Sequence, residues 1–350
     1  MTEQKENVQV SKQELEVYDR QVRLWGIEAQ TKLRNAKVLI IGGTQLGAEV
    51  AKTMSLAGVD EMHLVDHRLV NQSEIGSNFL YDASVDNTTK TKWAAAHGFL
   101  SNLNRNVKLF IVEEDLLSKP DAEIESFVRG FTIVIVLDES YERKIKLNEI
   151  CHKNQIRFIS GAVYGWIGYA FFDFDGHNIL TKIDPIELVV LEGQAAGGNA
   201  VLTVEDETYE PKKTSYPTFT EALSSNFSNK KVLRKCKRIV PPSYFLVKTM
   251  LRASLEGKLT GDPDKDISEL VPIWKEEVIK GNHTLEMQPV QPEKFNHLFS
   301  PEFGPTTACV GGMIGQEAIR TITEGKHAIR NLFIYSALDS SGTVCNFPLA

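Results

Sequence analysis

KVLIIGGTQLGAEVAKTMSLAG, Lys37 to Gly58, is the stretch on which the fold is decided. Val38 to Ile41 is a continuous apolar run rich in β-branched residues, which suits a strand buried on both faces of a parallel sheet. Glycines follow at once. Then Leu46, Val50, Met54 and Ala57 recur at helical spacing, and Gly58 is a good stop signal. A strand, a glycine turn and a helix in this order open an α/β domain with a doubly wound, mostly parallel sheet of the dinucleotide-binding type.

The turn departs from the pattern it suggests. A dinucleotide fingerprint places glycines first, third and sixth. Here Gly42 and Gly47 keep the outer places, but the middle one is Thr44. That middle glycine lets backbone approach a pyrophosphate with no side chain in the way. Gly43 relaxes the turn but stands at the wrong position to restore the contact. The fold signal is therefore strong and the nucleotide signal weak.

Composition narrows the classes. The chain has 350 residues, 42% of them hydrophobic and 24% charged, with a net charge of −7. That balance fits a globular protein and argues against a nucleic-acid partner. No apolar run approaches the ~20 residues of a membrane span, and the polar start MTEQKENVQV lacks a secretory core. Four scattered cysteines, Cys151, Cys236, Cys309 and Cys345, show no CxxC or metal-like spacing and read as reduced thiols. Cys151 and Cys309 lie in apolar helical contexts and are expected to be buried. Cys236, between Lys235 and Lys237, has the charged surroundings of a reactive thiol if it is open to solvent.

Ahead of the first strand, Glu14 to Arg34 predicts two helices parted by Gly26, with Leu15, Tyr18, Val22 and Trp25 on one face. Arg20 and Arg23 stand about a turn apart, and a solvated surface pair is the plain reading of them. Further strands are expected at Glu61–Val65, Lys108–Val112, Phe131–Leu137 and Ile156–Ser160. Asp66 closes the second, about 20 residues after the glycine turn, where an acid meets ribose. Asp138 closes the fourth, at the end of the sheet where ligands of such folds sit. Helices are expected at Lys92–Leu103, Ala122–Arg129, Tyr141–Asn154, Ser243–Glu256 and Asp266–Ile279. GAVYGWIGYAFFDF alternates like antiparallel strands. GQAAGGNA is turn-rich, and 201–204 is a possible short strand. In the late helix Val310, Ile314, Ala318 and Ile322 make a stripe with small residues between them. Asn331–Ser336 and Gly342–Phe347 close the chain as strands.

YDRQVRLWG at 18–26 is a specific signature. Together with the glycine turn, ICHKN at 150–154, the GAVYGWIGY run and CVGGMIGQE at 309–317, it resembles the activating-enzyme family for ubiquitin-like modifiers, with its ThiF/MoeB-like adenylation fold. The likeness is nearest to the smaller, non-catalytic subunits of the heterodimeric enzymes that activate SUMO. It spans nearly the whole chain except about 176–240.

The resemblance implies a division of labour. One half of such a pair binds ATP and magnesium, adenylates the modifier's C-terminal glycine and carries the nucleophilic cysteine. The other half is a degenerate copy. In this chain Thr44 breaks the glycine pattern, Arg68 replaces a second acid after Asp66, and Ser77 stands where the active half has a phosphate-binding arginine. Lys92 matches the family's phosphate lysine. Asp138 matches its metal-binding acid, in a run completed by Arg143, Asn148 and Cys151.

The expectation is a vestigial pocket of Gly42, Gly47, Asp66, Lys92 and Asp138 that holds neither nucleotide nor metal, with no nucleophilic cysteine in this chain. Arg20 matches an arginine that reaches across the dimer to the ATP phosphates of the partner's site. The implied partners are the larger catalytic subunit and SUMO, without nucleic acid or membrane, and the implied location is the nucleus and also the cytoplasm. KKVLRKCKR at 230–238 reads as a solvated face or an import signal.

The expected organisation is a flexible tail over 1–13 and an adenylation-type domain over 14–175. A variable insertion and crossover at 176–260 is followed by the rest of that domain at 261–350. Two alternatives stand beside this reading. A self-sufficient adenylating enzyme of sulfur-carrier type is favoured by Lys92 and Asp138. An NAD-dependent oxidoreductase is favoured by Gly42, Gly47 and Asp66.

Overall fold

The computed structural model describes residues 12–84, 86–182, 209–224, 229–285, 288, 291–325 and 329–348. GQAAGGNA and the possible strand at 201–204 lie outside the described residues, as does most of the expected tail. Three helices, α1 (Lys12–Val17), α2 (Asp19–Trp25) and α3 (Ile27–Arg34), precede β1 (Lys37–Ile41). There follow α4 (Gln45–Ala57), β2 (Glu61–Val65), α5 (Lys92–Leu103), β3 (Lys108–Val112), α6 (Asp121–Val128), β4 (Ile133–Leu137) and α7 (Tyr141–Lys153). Then come the antiparallel pair β5 (Arg157–Tyr164) and β6 (Ile167–Asp173), and a small hairpin-like sheet of β7 (Asn178–Lys182) and β8 (Tyr209–Lys213). The chain closes with α8 (Phe219–Leu223), α9 (Lys230–Ile239), α10 (Ser243–Leu255), α11 (Pro263–Lys280), α12 (Gly304–Ile322), β9 (Leu332–Ser336) and β10 (Ser341–Cys345).

The main sheet has eight strands in the order β10-β9-β6-β5-β4-β1-β2-β3. The β3-β2-β1-β4-β5 part is parallel, and β6, β9 and β10 extend it antiparallel. Alternation along β1 separates the two cores. Leu39 and Ile41 pack with α6, α7, α10 and α11, while Val38 and Ile40 pack with α4, α5 and α12. Helices thus cover both faces, as expected for a doubly wound sheet. The order reverses at β1, where β2 lies on one side and β4 on the other, and this opens a crevice at their C-terminal ends.

The small residues of α12 serve close packing on α4. A Cβ on Gly311 would lie 2.6 Å from Glu49 Cβ, and one on Gly315 would lie 2.5 Å from Thr53 Cγ2. Val310, Ile314, Ala318 and Ile322 are all buried in that core.

Two expectations need correction, and the basic run agrees with its reading as a solvated face. The first helix breaks at Tyr18 into α1 and α2, and α2 has no fully buried residue. Val22 and Trp25 are only half-buried, whereas Tyr18 is fully buried. It is the ring, rather than an amphipathic face, that fastens the segment. Cys309 is exposed on α12, whereas Cys151 is buried as expected. In α9 the basic residues Lys230, Lys231, Arg234, Lys237 and Arg238 face solvent, while Val232 and Cys236 turn inward. Burial pushes the Cys236 thiol up to about 11, so its lysine neighbours do not activate it.

Candidate functional site

The crevice at the ends of β1, β2 and β4 gathers the residues that the sequence singled out. Gly42 takes φ +109°, and a Cβ there would meet the Leu137 carbonyl at 2.2 Å. Gly47 approaches the Gly42 carbonyl as closely, at 2.1 Å. Both glycines are therefore required by strand and helix packing alone. Gly43 has a further reason, since a Cβ would strike Lys92 Cβ at 2.6 Å.

Thr44 is the N-cap of α4. Its Oγ1 accepts from Gly47 N–H at 3.3 Å and donates to Asp138 Oδ2 at 2.5 Å. A β-branched residue that obstructs a pyrophosphate is here a capping residue.

The other site residues are likewise engaged within the chain. Arg68 Nε and Nη2 meet the two carboxylate oxygens of Asp66 at 2.8 and 2.7 Å, and Glu139 lies 3.2 Å from the same guanidinium. Gly43 N–H donates to Asp66 at 2.7 Å. Burial alone would raise the Asp66 carboxyl, but the Arg68 fork outweighs it and the pKa lies below the ordinary value. Lys92 Nζ donates to Glu74 at 2.6 Å. Asp138, at φ +50°, accepts from Val163 N–H at 3.0 Å through its second oxygen. Ser77 is exposed and bonds only the Ser73 and Glu74 carbonyls.

Arg143, Asn148 and Cys151 do not join Asp138. Arg143 forks onto Asp115 at 3.0 and 2.7 Å. Asn148 bonds Asp173 at 2.8 Å and accepts from Phe219 N–H at 2.7 Å, and Cys151 is buried behind it. No group of three His, Cys, Asp or Glu arranged to hold a metal ion occurs among the described residues.

Two crevice residues escaped the sequence reading. Tyr81 donates its hydroxyl to the Gly43 carbonyl at 3.2 Å. Glu302, just ahead of α12, accepts from Leu46 N–H at 3.2 Å. Burial first, and then the Asp138 carboxylate, push the Glu302 carboxyl up to about 9. Its one sequence signal is its place before the GPTTACVGG helix start. Nothing local links it to a turn 256 residues away.

The YDRQVRLWG segment lies at the other end of α4. Helix ends leave carbonyls without intrahelical partners, and side chains supply them here. Gln21 donates to the Leu56 carbonyl at 2.9 Å, Gln30 to Ala57 at 3.0 Å and Asn104 to Ser55 at 2.7 Å. Asn104 also donates to the Tyr18 hydroxyl at 2.9 Å. The Tyr18 ring rests on Gly58, whose φ of +78° ends the helix.

Tyr18 and Gln21 thus fix α2 in place, while Asp19, Arg20 and Arg23 are exposed. Arg23 pairs with Asp19 at 3.0 Å, but no acid among the described residues pairs with Arg20. Exposed Leu24 and Leu56 flank this end, and Phe79 and Phe99 stack edge to face at 6.1 Å beside a groove of about 870 Å³.

Comparisons with known proteins bear on the family and the fold. The ThiF family matches residues 18–349. The Caenorhabditis elegans SUMO-activating enzyme subunit aos-1 is 65% identical over 97% of this chain and 99% of its own length. The Homo sapiens SUMO-activating enzyme subunit 1 is 32% identical over 96% and 95%. Two solved structures share the fold. PaaA has a TM-score of 0.56 at 17% identity over 96% of this chain and 84% of its own. Escherichia coli MccB has a TM-score of 0.53 at 12% identity over 94% and 71%. This chain belongs to the ThiF family and within it matches the small subunits of SUMO-activating enzymes over nearly its whole length.

Proposed function

We propose that this chain is the non-catalytic half of a heterodimer that activates SUMO, and that it lends Arg20 to the ATP site of its larger partner. The observation that carries the reading is the separation of Arg20 from its own crevice. Arg20 stands at the C-terminal end of α4 and the crevice at the N-terminal end, and the helix between them has 13 residues. At 1.5 Å per residue that is ~20 Å, beyond the reach of any side chain. An exposed, unpaired guanidinium on a helix fastened by the buried Tyr18 and by Gln21 is suited to an anion on another molecule.

The crevice supports the other half of the proposal. Asp66, Lys92 and Asp138, the groups that resemble ATP and magnesium ligands, are each bonded to another side chain of the same molecule. The residues present do not fit a nucleotide, so no step is assigned to them. ATP and magnesium belong to the partner's site in this reading, as does the nucleophilic cysteine. Residence in the nucleus, and also in the cytoplasm, is proposed on family resemblance.

In the chain's reconstituted pair with its larger subunit, Arg20→Ala should slow ATP–pyrophosphate exchange by about 10²–10³. Unchanged exchange would end the Arg20 assignment. ATP binding by the chain alone would favour the self-sufficient adenylating enzyme instead.

A further inference from the structure

Three backbone N–H groups at the head of α4 are already taken. Gly43 gives its proton to Asp66, Gly47 to the Thr44 hydroxyl, and Leu46 to Glu302. In nucleotide-binding α/β folds a helix N-terminus of this kind receives phosphate. Asp66 and Thr44 belong to the β1–β2 unit itself, whereas Glu302 arrives from the far part of the chain.

The backbone beside Glu302 is pinned. Phe303 N–H donates to the Gly165 carbonyl at 3.3 Å, and the Phe303 ring stacks on Trp166 at 4.6 Å and 5°. Thr306 and Thr307 N–H then donate to the Phe303 carbonyl as α12 begins. The backbone that carries the carboxyl is thereby tied to the turn between β5 and β6. Asp138, Lys92, Glu74 and Tyr81 face it. An incoming polyphosphate would meet Asp66, Glu74, Asp138 and Glu139 as well. The two cations there, Arg68 and Lys92, are already paired.

We infer that Glu302 is a plug: its carboxyl takes the phosphate place at the head of α4 and, beside the paired side chains of the crevice, helps to keep nucleotide out of this chain. This inference rests on the proposed reading of the crevice as one that holds no nucleotide. The carboxyl keeps its proton at neutral pH, so the plug acts as an uncharged acceptor. A glutamine reproduces that shape and acceptor, and an alanine removes both.

The test is calorimetric titration of the full-length chain with inorganic tripolyphosphate and with ATP at neutral pH, each variant first checked for a cooperative melt. Wild type and Glu302→Gln should bind neither. Glu302→Ala should bind tripolyphosphate at least about tenfold more tightly than wild type, the scale of an anion at a partly buried helix N-terminus. Glu302→Ser, which shortens the side chain but keeps a polar end, should show the same gain if the alanine variant does not fold.

No gain in either shortened variant overturns the plug and leaves the proposed function standing. A glutamine variant that binds as well as the alanine one also overturns it. Wild-type chain that binds ATP as tightly as the alanine variant overturns the reading of the crevice itself.

Discussion

The two ends of α4 treat charge in opposite ways. At the crevice end every ionisable group has a partner from the same chain: Arg68 with Asp66, Lys92 with Glu74, Asp138 with Thr44, and Glu302 with Leu46 N–H. At the other end the chain spends Tyr18, Gln21, Gln30 and Asn104 on helix carbonyls and ring packing, and leaves Arg20 exposed. A paired cation is stable but has no capacity left for a ligand. An unpaired one on a rigid support keeps all five donors for an outside anion. The same helix thus separates a site closed upon itself from an exposed guanidinium that, in the proposed function, another molecule's site receives.

The largest expected effect strikes the outward end. Arg20→Ala should cost the pair about 10²–10³ in exchange rate, while Arg23→Ala, which only removes an exposed ion pair, should change it less than about threefold. Equal losses in the two variants would erase the contrast between them.

The next effect strikes the crevice, in stability rather than rate. Arg68→Ala leaves the buried Asp66 without its fork and should cost about 2 kcal/mol in urea unfolding. That is less than a fully buried pair would cost, because Arg68 is about one-third exposed. Exchange in the assembled pair should hardly move. The sign with pH is fixed by the depressed Asp66 pKa. Its contribution is present above the ordinary carboxylate range and is lost as pH falls through the lower folded value. The gap between wild type and variant should therefore narrow in acid, and a gap that widens there would contradict the pairing.

A smaller change tests the support of α2. Tyr18→Phe removes the hydroxyl that accepts from Asn104 and should cost about 1 kcal/mol. It should also lower exchange modestly, because the support of Arg20 loosens. Lost stability with untouched exchange would show that Tyr18 does not position the arginine.

The last test concerns Glu302 and is read as a dependence on pH. Folding raises its carboxyl from 4.5 to about 9, so between those values the folded chain holds a proton that the unfolded chain has released. Stability from this group therefore falls as pH rises. Glu302→Gln should gain melting temperature over wild type at about pH 8 and gain less at about pH 5. Equal differences at both would remove the assigned cause.

Much of this was legible in the chain. The apolar run of β1, the helical stripe of α4 and the alternation of β5 and β6 are local patterns with one stable outcome each. Thr44 at the middle glycine was visible as a departure, and YDRQVRLWG as a signature. The purpose of each neighbour was not. Thr44 caps a helix and holds Asp138 across 94 positions, and Lys92 is held by Glu74, 18 positions away. Cys309 sits in an apolar run yet faces solvent, because the opposite side of α12 is the one pressed onto α4.

The sequence by itself determined the strand–turn–helix frame, the absent fingerprint glycine and the identity of the signature arginine, since periodicity and glycine placement act over a few residues. Only the tertiary structure decided which charges cancel one another, that Glu302 reaches the head of α4, and that Arg20 lies a helix length from its own crevice. Those outcomes depend on distances between groups far apart along the chain. Only the packed sheet brings such groups within hydrogen-bond range or keeps them out of it.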